Sequence, residues 1–270
     1  MMPAWLDTSA WNLAAVLAAV GGAVAWGVAR ARAGHRPRLR RIAGVEAMQD
    51  AIGHATERGR PVFYVAGTQD LDDVQTVASL GILGAVGRMT ARHGCRLVMP
   101  ANRSLVMAAA REVLRDSYTA AHRPDDYAPD MVSYVSDDQF GFAARVDGMI
   151  AREKPAATFL QGGFYAESLL LAEAGAQVGA VQVAGTAMSH QLPFLVAACD
   201  HVLIGEEFFA AEAYLSGDPA KLGSLRGQDV VKAAAMVLLI AGAAAVTLAD
   251  VTGWPWLTSA RDALLALVRP

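Results

Sequence analysis

Residues 11–29 read WNLAAVLAAVGGAVAWGVA and carry no charged side chain. A helix rises about 1.5 Å per residue, so about 20 apolar residues cross the roughly 30 Å of bilayer hydrocarbon. A second stretch, 230–249, reads VVKAAAMVLLIAGAAAVTLA. Its one charge, Lys232, lies near the start, where a long side chain reaches the interface. Both stretches predict membrane-spanning helices, and whatever else the chain builds must fold between them. They also account for a composition of 54% hydrophobic and 18% charged residues with a mean hydropathy of +0.30. Soluble domains carry about 25% charged residues. A disordered chain is excluded, because it needs low hydrophobicity and high net charge.

The charges around the spans give an orientation. Residues 1–10 contain Asp7 and no lysine or arginine, whereas Arg30, Arg32, Arg36, Arg38, Arg40 and Arg41 follow the first span. A cleaved signal peptide would open with positive charge. The positive-inside rule instead puts the N-terminus outside and residue 30 onward in the cytoplasm. Lys221, Arg226 and Lys232 before the second span, and Asp250, Trp254 and Trp256 after it, agree. The expected order is an external N-terminus (1–10), a span (11–29), an Arg-rich junction (30–44), a cytoplasmic domain (45–228), a span (230–249) and an external tail (250–270). Ser259 and Asp262 in that tail resemble a capping box ahead of a short surface helix. The expected location is the cytoplasmic (inner) membrane, with both termini outside. The six arginines are expected to meet anionic lipid headgroups. Nucleic acid is not an expected partner: no aromatic residue interleaves the arginines, and the net charge is −3. The Ala/Gly content of both spans favours close helix packing, with each other or with further copies, so a homo-oligomer is expected.

Between the spans the pattern changes to short apolar runs separated by helical lengths. Strands are expected at 62–66, 96–99, 131–135, 157–160, 180–183 and 201–204, with helices at about 45–58, 71–93 and 104–122. Continuous apolar strands alternating with helices predict an α/β fold. The expected domain is Rossmann-like and doubly wound, with a mostly parallel sheet of about six strands.

In such a sheet, ligands bind at the carboxyl ends of the strands. The loops there supply Thr68, Gln69, Asn102, Gln161, Gly162, Gly163, Thr186, Glu206 and Glu207 as candidate ligand-binding residues. The turn Gln161-Gly162-Gly163-Phe164 between a strand and a helix is a geometry that presents backbone N–H groups to a small anion. It lacks the full dinucleotide spacing. Acids at 70, 72 and 73 are read as occupying the start of the helix after the first strand. Gly81, Gly84 and Gly87 are read as a close-packing stripe, and no P-loop lysine follows them. No G-x-S-x-G or H-E-x-x-H motif is present. Ser168, Ser189, His190, Asp200 and His201 form a triad only on paper. The pairs Asp125-Asp126 and Asp137-Asp138 are read as solvated surface. No metal site is expected, no cofactor is assigned, and Cys95 and Cys199 are read as buried free thiols.

The layout of span, Arg-rich junction, Gly-Thr-Gln-Asp loop, Gln-Gly-Gly-Phe-Tyr-Ala-Glu-Ser turn, Ala-Gly-Thr-Ala segment and second span resembles a family of bacterial and archaeal membrane-anchored proteins known as a domain of unknown function. The resemblance covers roughly residues 45–250. It implies a cytoplasmic domain between two spans and brings no activity, substrate or catalytic residue with it. Three functions fit the sequence. The first is a self-associating membrane scaffold or ligand-binding protein without catalysis. The second is a membrane-bound enzyme acting on a nucleotide or other anionic metabolite at Gly162-Gly163. The third is a channel or transporter component, which the apolar spans disfavour.

Overall fold

The computed structural model describes residues 11–35, 41–252 and 259. The chain divides into two compact units: residues 1–39 with 217–270, and residues 40–216.

The first unit is a helix pair, α1 (Trp11–Arg32) and α9 (Pro219–Thr252). Leu13–Arg32 and Pro219–Leu248 are long and apolar enough to cross a membrane, by length and composition. The second helix starts well before residue 230, because nothing between Pro219 and Val230 breaks it. Gly223 and Gly227 in that stretch are packing positions. A Cβ added at Gly227 would lie 2.6 Å from Val24 Cα, and one at Gly223 would lie 2.6 Å from the Gly27 carbonyl oxygen. A Cβ at Gly27 would collide with the Gly223 carbonyl. Ala23, Gly27 and Ala31 on α1 thus face Gly223 and Gly227 on α9, a four-residue spacing of small residues that lets backbones touch. Gly27→Leu is expected to weaken this pairing by about 1–3 kcal/mol. Loss of cross-linking between cysteines introduced along α1 and α9 would register it; an unchanged yield would mean the helices meet elsewhere.

The second unit contains α2 (Ala43–Arg58), β1 (Val62–Val65), α3 (Val74–His93), β2 (Leu97–Ala101), α4 (Ser104–Ala120), β3 (Val132–Tyr134), α5 (Gln139–Glu153), β4 (Ala157–Gln161), α6 (Glu167–Gln177), β5 (Val181–Thr186), α7 (Leu192–Ala198), β6 (His201–Ile204) and α8 (Glu206–Ser216). The six strands form one parallel sheet in the order β3-β2-β1-β4-β5-β6. This is the doubly wound arrangement, with its reversal between β1 and β4. β1 pairs Val62 with Leu97 on one side and with Ala157 on the other.

The alternation of β1 assigns the two faces. Val62 and Tyr64 join a core with residues of α2, α3, α4 and α8, whereas Phe63 and Val65 join a core with α5, α6 and α7. All four residues are fully buried, so a central strand reads as an unbroken apolar run. Tyr64 donates from its hydroxyl to the Ser79 carbonyl at 2.6 Å, and Ser79 donates to the Gln161 carbonyl at 2.9 Å. These bonds tie α3 to both strands at the reversal. At the opposite end, the Arg60 guanidinium donates to the carbonyls of Lys154, Pro155 and Val178, joining three strand approaches. Arg111 donates to the Val132 carbonyl at 3.0 Å on the edge strand β3. Capping an edge in this way opposes unwanted strand addition.

The glycine stripe of α3 packs against helices. Gly84 and Gly87 face Val113, Leu114 and Ser117 of α4, and Gly81 faces Glu212 of α8. The helix itself begins at Val74, with Asp73 as its N-cap accepting from the Gln75 N–H at 2.6 Å. Asp70 and Asp72 lie in the loop ahead of it, so only one of the three acids acts directly on the helix end.

Candidate functional site

The strand reversal between β1 and β4 is where this fold opens a crevice. Here the two loops interlock. The Thr68 N–H donates to the Gly163 carbonyl at 2.9 Å, and the Gly162 N–H donates to the Gly185 carbonyl at 2.8 Å. Gly67 has φ +78° and Gly162 has φ +125°. A Cβ at Gly67 would lie 2.6 Å from the Gly163 carbonyl oxygen, and one at Gly162 would lie 2.9 Å from that of Ala66. The glycines therefore serve loop-to-loop contact. Of the turn N–H groups expected to face an anion, that of Gly162 is committed to the neighbouring strand β5.

Above this contact sits a buried polar cluster centred on Glu167, the first residue of α6. Its carboxylate is fully buried. Oε1 accepts from Thr68 Oγ1 at 2.7 Å and from the Tyr165 N–H at 3.0 Å, and Oε2 accepts from the Gln139 amide. A carboxylate in the first turn occupies the place where a helix N-terminus would attract an anionic ligand. Beside it, the Gln75 amide oxygen accepts from the Ala187 N–H at 2.7 Å and from Thr186 Oγ1 at 3.2 Å. Gln69, Met188 and Gln75 close over Gly163.

Five of the candidate residues, Thr68, Gln69, Gly162, Gly163 and Thr186, meet in this cluster. Gln161 lies beneath it: its amide donates to the Val183 carbonyl at 2.9 Å, and its Oε1 is buried without a partner against Gly185 and Phe208. Asn102, one strand away at the end of β2, donates to the Ser136 carbonyl at 2.7 Å and likewise buries an unpartnered Oδ1. Glu206 and Glu207 start α8 at the β6 edge, two strands from β4, and are not part of the cluster.

Glu167, Gln139 and Gln75 are the site residues that sequence reasoning missed. The one signal for them was position: each lies in the first turn of a helix at the carboxyl end of the sheet. The paper triad does not assemble. Ser168 donates to Gln191 at 2.7 Å, and His190 stacks on Tyr165 with ring centroids 6.5 Å apart. Asp200 accepts from the Gln182 N–H at the entry to β6, the far end of that strand from Ile204.

Of the arginine cluster, Arg36, Arg38 and Arg40 lie outside the described residues. So do Trp254, Trp256 and Asp262. Arg30 sits 5.5 Å above the Trp26 ring, and Arg41 pairs with Glu46 at 3.6 Å. No group of three or more His, Cys, Asp or Glu side chains converges on a metal position among the described residues.

The two thiols are free; Cys95 is buried and Cys199 half-buried. Burial, reinforced by the Asp200 carboxylate, pushes Cys199 up to about 12. Because the folded value exceeds the unfolded one, this thiol stabilises the fold below about pH 9. That contribution fades as pH climbs toward 12. Alkylation of Cys199 at pH 8 is expected to be about a hundredfold slower in the native protein than in the urea-unfolded chain. Comparable rates would show the thiol to be open to solvent and ionised.

Taken together, these features define a Rossmann-like α/β domain, sealed at its strand reversal, joined to a pair of long apolar helices. The chain belongs to the family described as Domain of unknown function (DUF6754), which matches residues 1–256. No curated protein and no solved structure matches the chain.

Proposed function

We propose that this protein is a membrane-anchored, self-associating scaffold, held in the cytoplasmic membrane by α1 and α9, with both termini outside and the α/β domain in the cytoplasm. The sealed strand reversal carries the reading. The crevice that a Rossmann-like enzyme keeps for a phosphate is filled here by the protein's own loop contact, and Glu167 supplies the negative charge at the helix end. An added phosphate would meet that carboxylate at the helix end, and the Gly162 N–H at the turn is already bonded to the Gly185 carbonyl. Orientation rests on the arginines that follow the first span.

Native mass spectrometry of the full chain, gently extracted from membranes, tests it. A discrete oligomer without added mass is expected, and a monodisperse monomer would overturn self-association. Reporter domains fused to each terminus are expected to be active outside the cytoplasm; activity inside would reverse the orientation. One observation favours a ligand-binding role within the same reading. The buried, unpartnered Asn102 Oδ1 and Gln161 Oε1, at the ends of the two strands that flank β1, are acceptors. They suit a hydrogen-bond donor rather than an anion. A stoichiometric extra mass would support that role.

A further inference from the structure

Helix α5 carries a short repeat. Gly141 stands four residues before Arg145 and Gly148 four residues before Arg152, so Gly-x-x-x-Arg recurs after seven residues. A helical side chain leans back over the turn that precedes it, and each arginine therefore follows a turn bared by glycine. Arg152 shows the result: its Nη1 lies 3.6 Å from where a Gly148 Cβ would stand. No other side chain beyond the chain neighbours lies within 4 Å of that point, so close packing does not demand this glycine. Glycine inside a helix weakens it relative to alanine; here the room it leaves is taken by a guanidinium. Gly141 has a further reason, since a Cβ there would lie 2.9 Å from the Asp138 carboxylate that caps the helix.

The stripe borders a groove of about 450 Å³ between α5 and the edge strand β3, a size within the roughly 300–1,000 Å³ of small-molecule sites. Ser133 and Ser136 line it from the strand side, and Gly141, Arg145 and Arg152 from the helix. Among the described residues neither arginine has an ion pair or a hydrogen bond, and neither has the Ser133 hydroxyl. Ser136 Oγ accepts from the Asp138 N–H at 3.1 Å and keeps its own proton to donate. The acids nearby are largely engaged. Glu153 lines the groove but is held by Arg96 at 2.6 Å. The Asp138 carboxylate accepts from the Gly141 N–H at 2.6 Å, and Asp137 pairs with Arg103 at 3.8 Å. Asp147 lies on the other flank of α5, beside Phe140 and Leu170. At the amino end of the sheet, Asp130 before β3 and Lys154 after α5 add one charge of each sign. Arg96, Arg145 and Arg152 thus stand against Glu153 and Asp138, and the two unpaired guanidiniums are the ones on the groove.

We propose that this groove is a site for the diphosphate group of a soluble metabolite, with Arg145 donating to one phosphate, Arg152 to the other, and the hydroxyls of Ser133 and Ser136 to oxygens on the strand side. Arginine presents a planar fork of donors that takes phosphate oxygens two at a time. Seven residues separate the two along α5, which is about 10 Å of helix. One phosphate cannot lie in line with both guanidiniums while each rests over its own glycine turn; two linked phosphates can. The strand reversal, where a Rossmann-like fold places a phosphate, is closed by its loop contact and by Glu167. The open cationic surface lies instead at the sheet edge. This site goes beyond the scaffold reading and does not rest on it.

Isothermal titration calorimetry of the full chain in non-ionic detergent tests it, with inorganic pyrophosphate as the probe. One saturable site per chain is expected. Arg145→Gln and Arg152→Gln are each expected to weaken binding by at least about tenfold, because each removes charged hydrogen bonds to the ligand. Orthophosphate is expected to bind at least about tenfold more weakly than pyrophosphate, since it engages one guanidinium. Gly148→Leu is expected to weaken pyrophosphate binding while strengthening α5, which separates loss of the site from loss of the fold. Arg92→Gln, on α3 across the sheet, is expected to bind as the parent does. No saturable binding to the parent chain would overturn the site. Unchanged binding in a chain carrying both Arg145→Gln and Arg152→Gln would overturn its assignment to these residues. Orthophosphate binding as tightly as pyrophosphate would overturn the bridging of two phosphates.

Discussion

Replacing Glu167 with alanine is expected to destabilise the α/β domain by about 3–5 kcal/mol, the range found when one side of a buried charged network is removed. The change strands the Thr68 hydroxyl, the Tyr165 N–H and the Gln139 amide, all of which now end on one carboxylate. It also leaves a void at the start of α6 and removes a favourable charge from that helix end. Glu167→Gln is expected to cost less, about 1–3 kcal/mol. It keeps the volume and one oxygen but turns an N–H toward the Gln139 donor. Urea unfolding of the full chain in detergent, followed by circular dichroism, would measure both. Equal stability of the alanine variant and the parent would mean that the cluster is solvated and that the strand reversal is not sealed.

Gly67→Val is expected to be at least as damaging, for a backbone reason. Valine at φ +78° is strained, which costs about 1–3 kcal/mol. Its Cβ would also press on the Gly163 carbonyl at 2.6 Å, where no side chain can rotate away. Forcing the loops apart breaks the bond from the Thr68 N–H to the Gly163 carbonyl, and with it the approach of Thr68 to Glu167. We expect a total loss of about 3–5 kcal/mol, a large part of the roughly 5–15 kcal/mol that holds a domain together. Gly59→Ala is the control: it has a similar φ of +61° with open space around it, and it should show the strain alone. If both variants lose the same amount, the close approach of the loops contributes nothing.

The strands were legible because each is a short apolar run bounded by glycine or charge, and all six expected segments overlap observed ones. Their order was not, because parallel pairing joins residues such as Val62 and Ala157 that share no local signal. The start of α9 was missed because Lys221, Arg226 and Asp229 end an apolar window without ending a helix. At the site, Gly162 and Gly163 announced a tight turn, and the turn is there. The amino acids could not say whether its N–H groups face a ligand or another loop. That depended on Gly67 arriving from a different strand. Glu167 went unnoticed for a similar reason: an acid in a helix's first turn is usually solvated, and only the fold buries this one beneath Thr68 and Gln139.

The strand order has a consequence for how the protein is made. β1 lies at the centre of the sheet, yet one of its two neighbours, β4, is translated only after β2, β3 and three helices. At roughly 5–20 residues per second, the ribosome leaves one flank of β1 unpaired for about 5–20 s. During that interval the nascent half-domain displays the unpaired N–H and C=O groups along one side of a strand with apolar faces, the kind of template that recruits stray strands. On the same timetable, α1 is made long before α9 exists, so Gly27 has no Gly223 to rest against until that later helix has been translated. Both units of this protein thus depend on parts made much later than the parts they pack against, and a nascent chain halted before β4 should need a chaperone that a finished one does not.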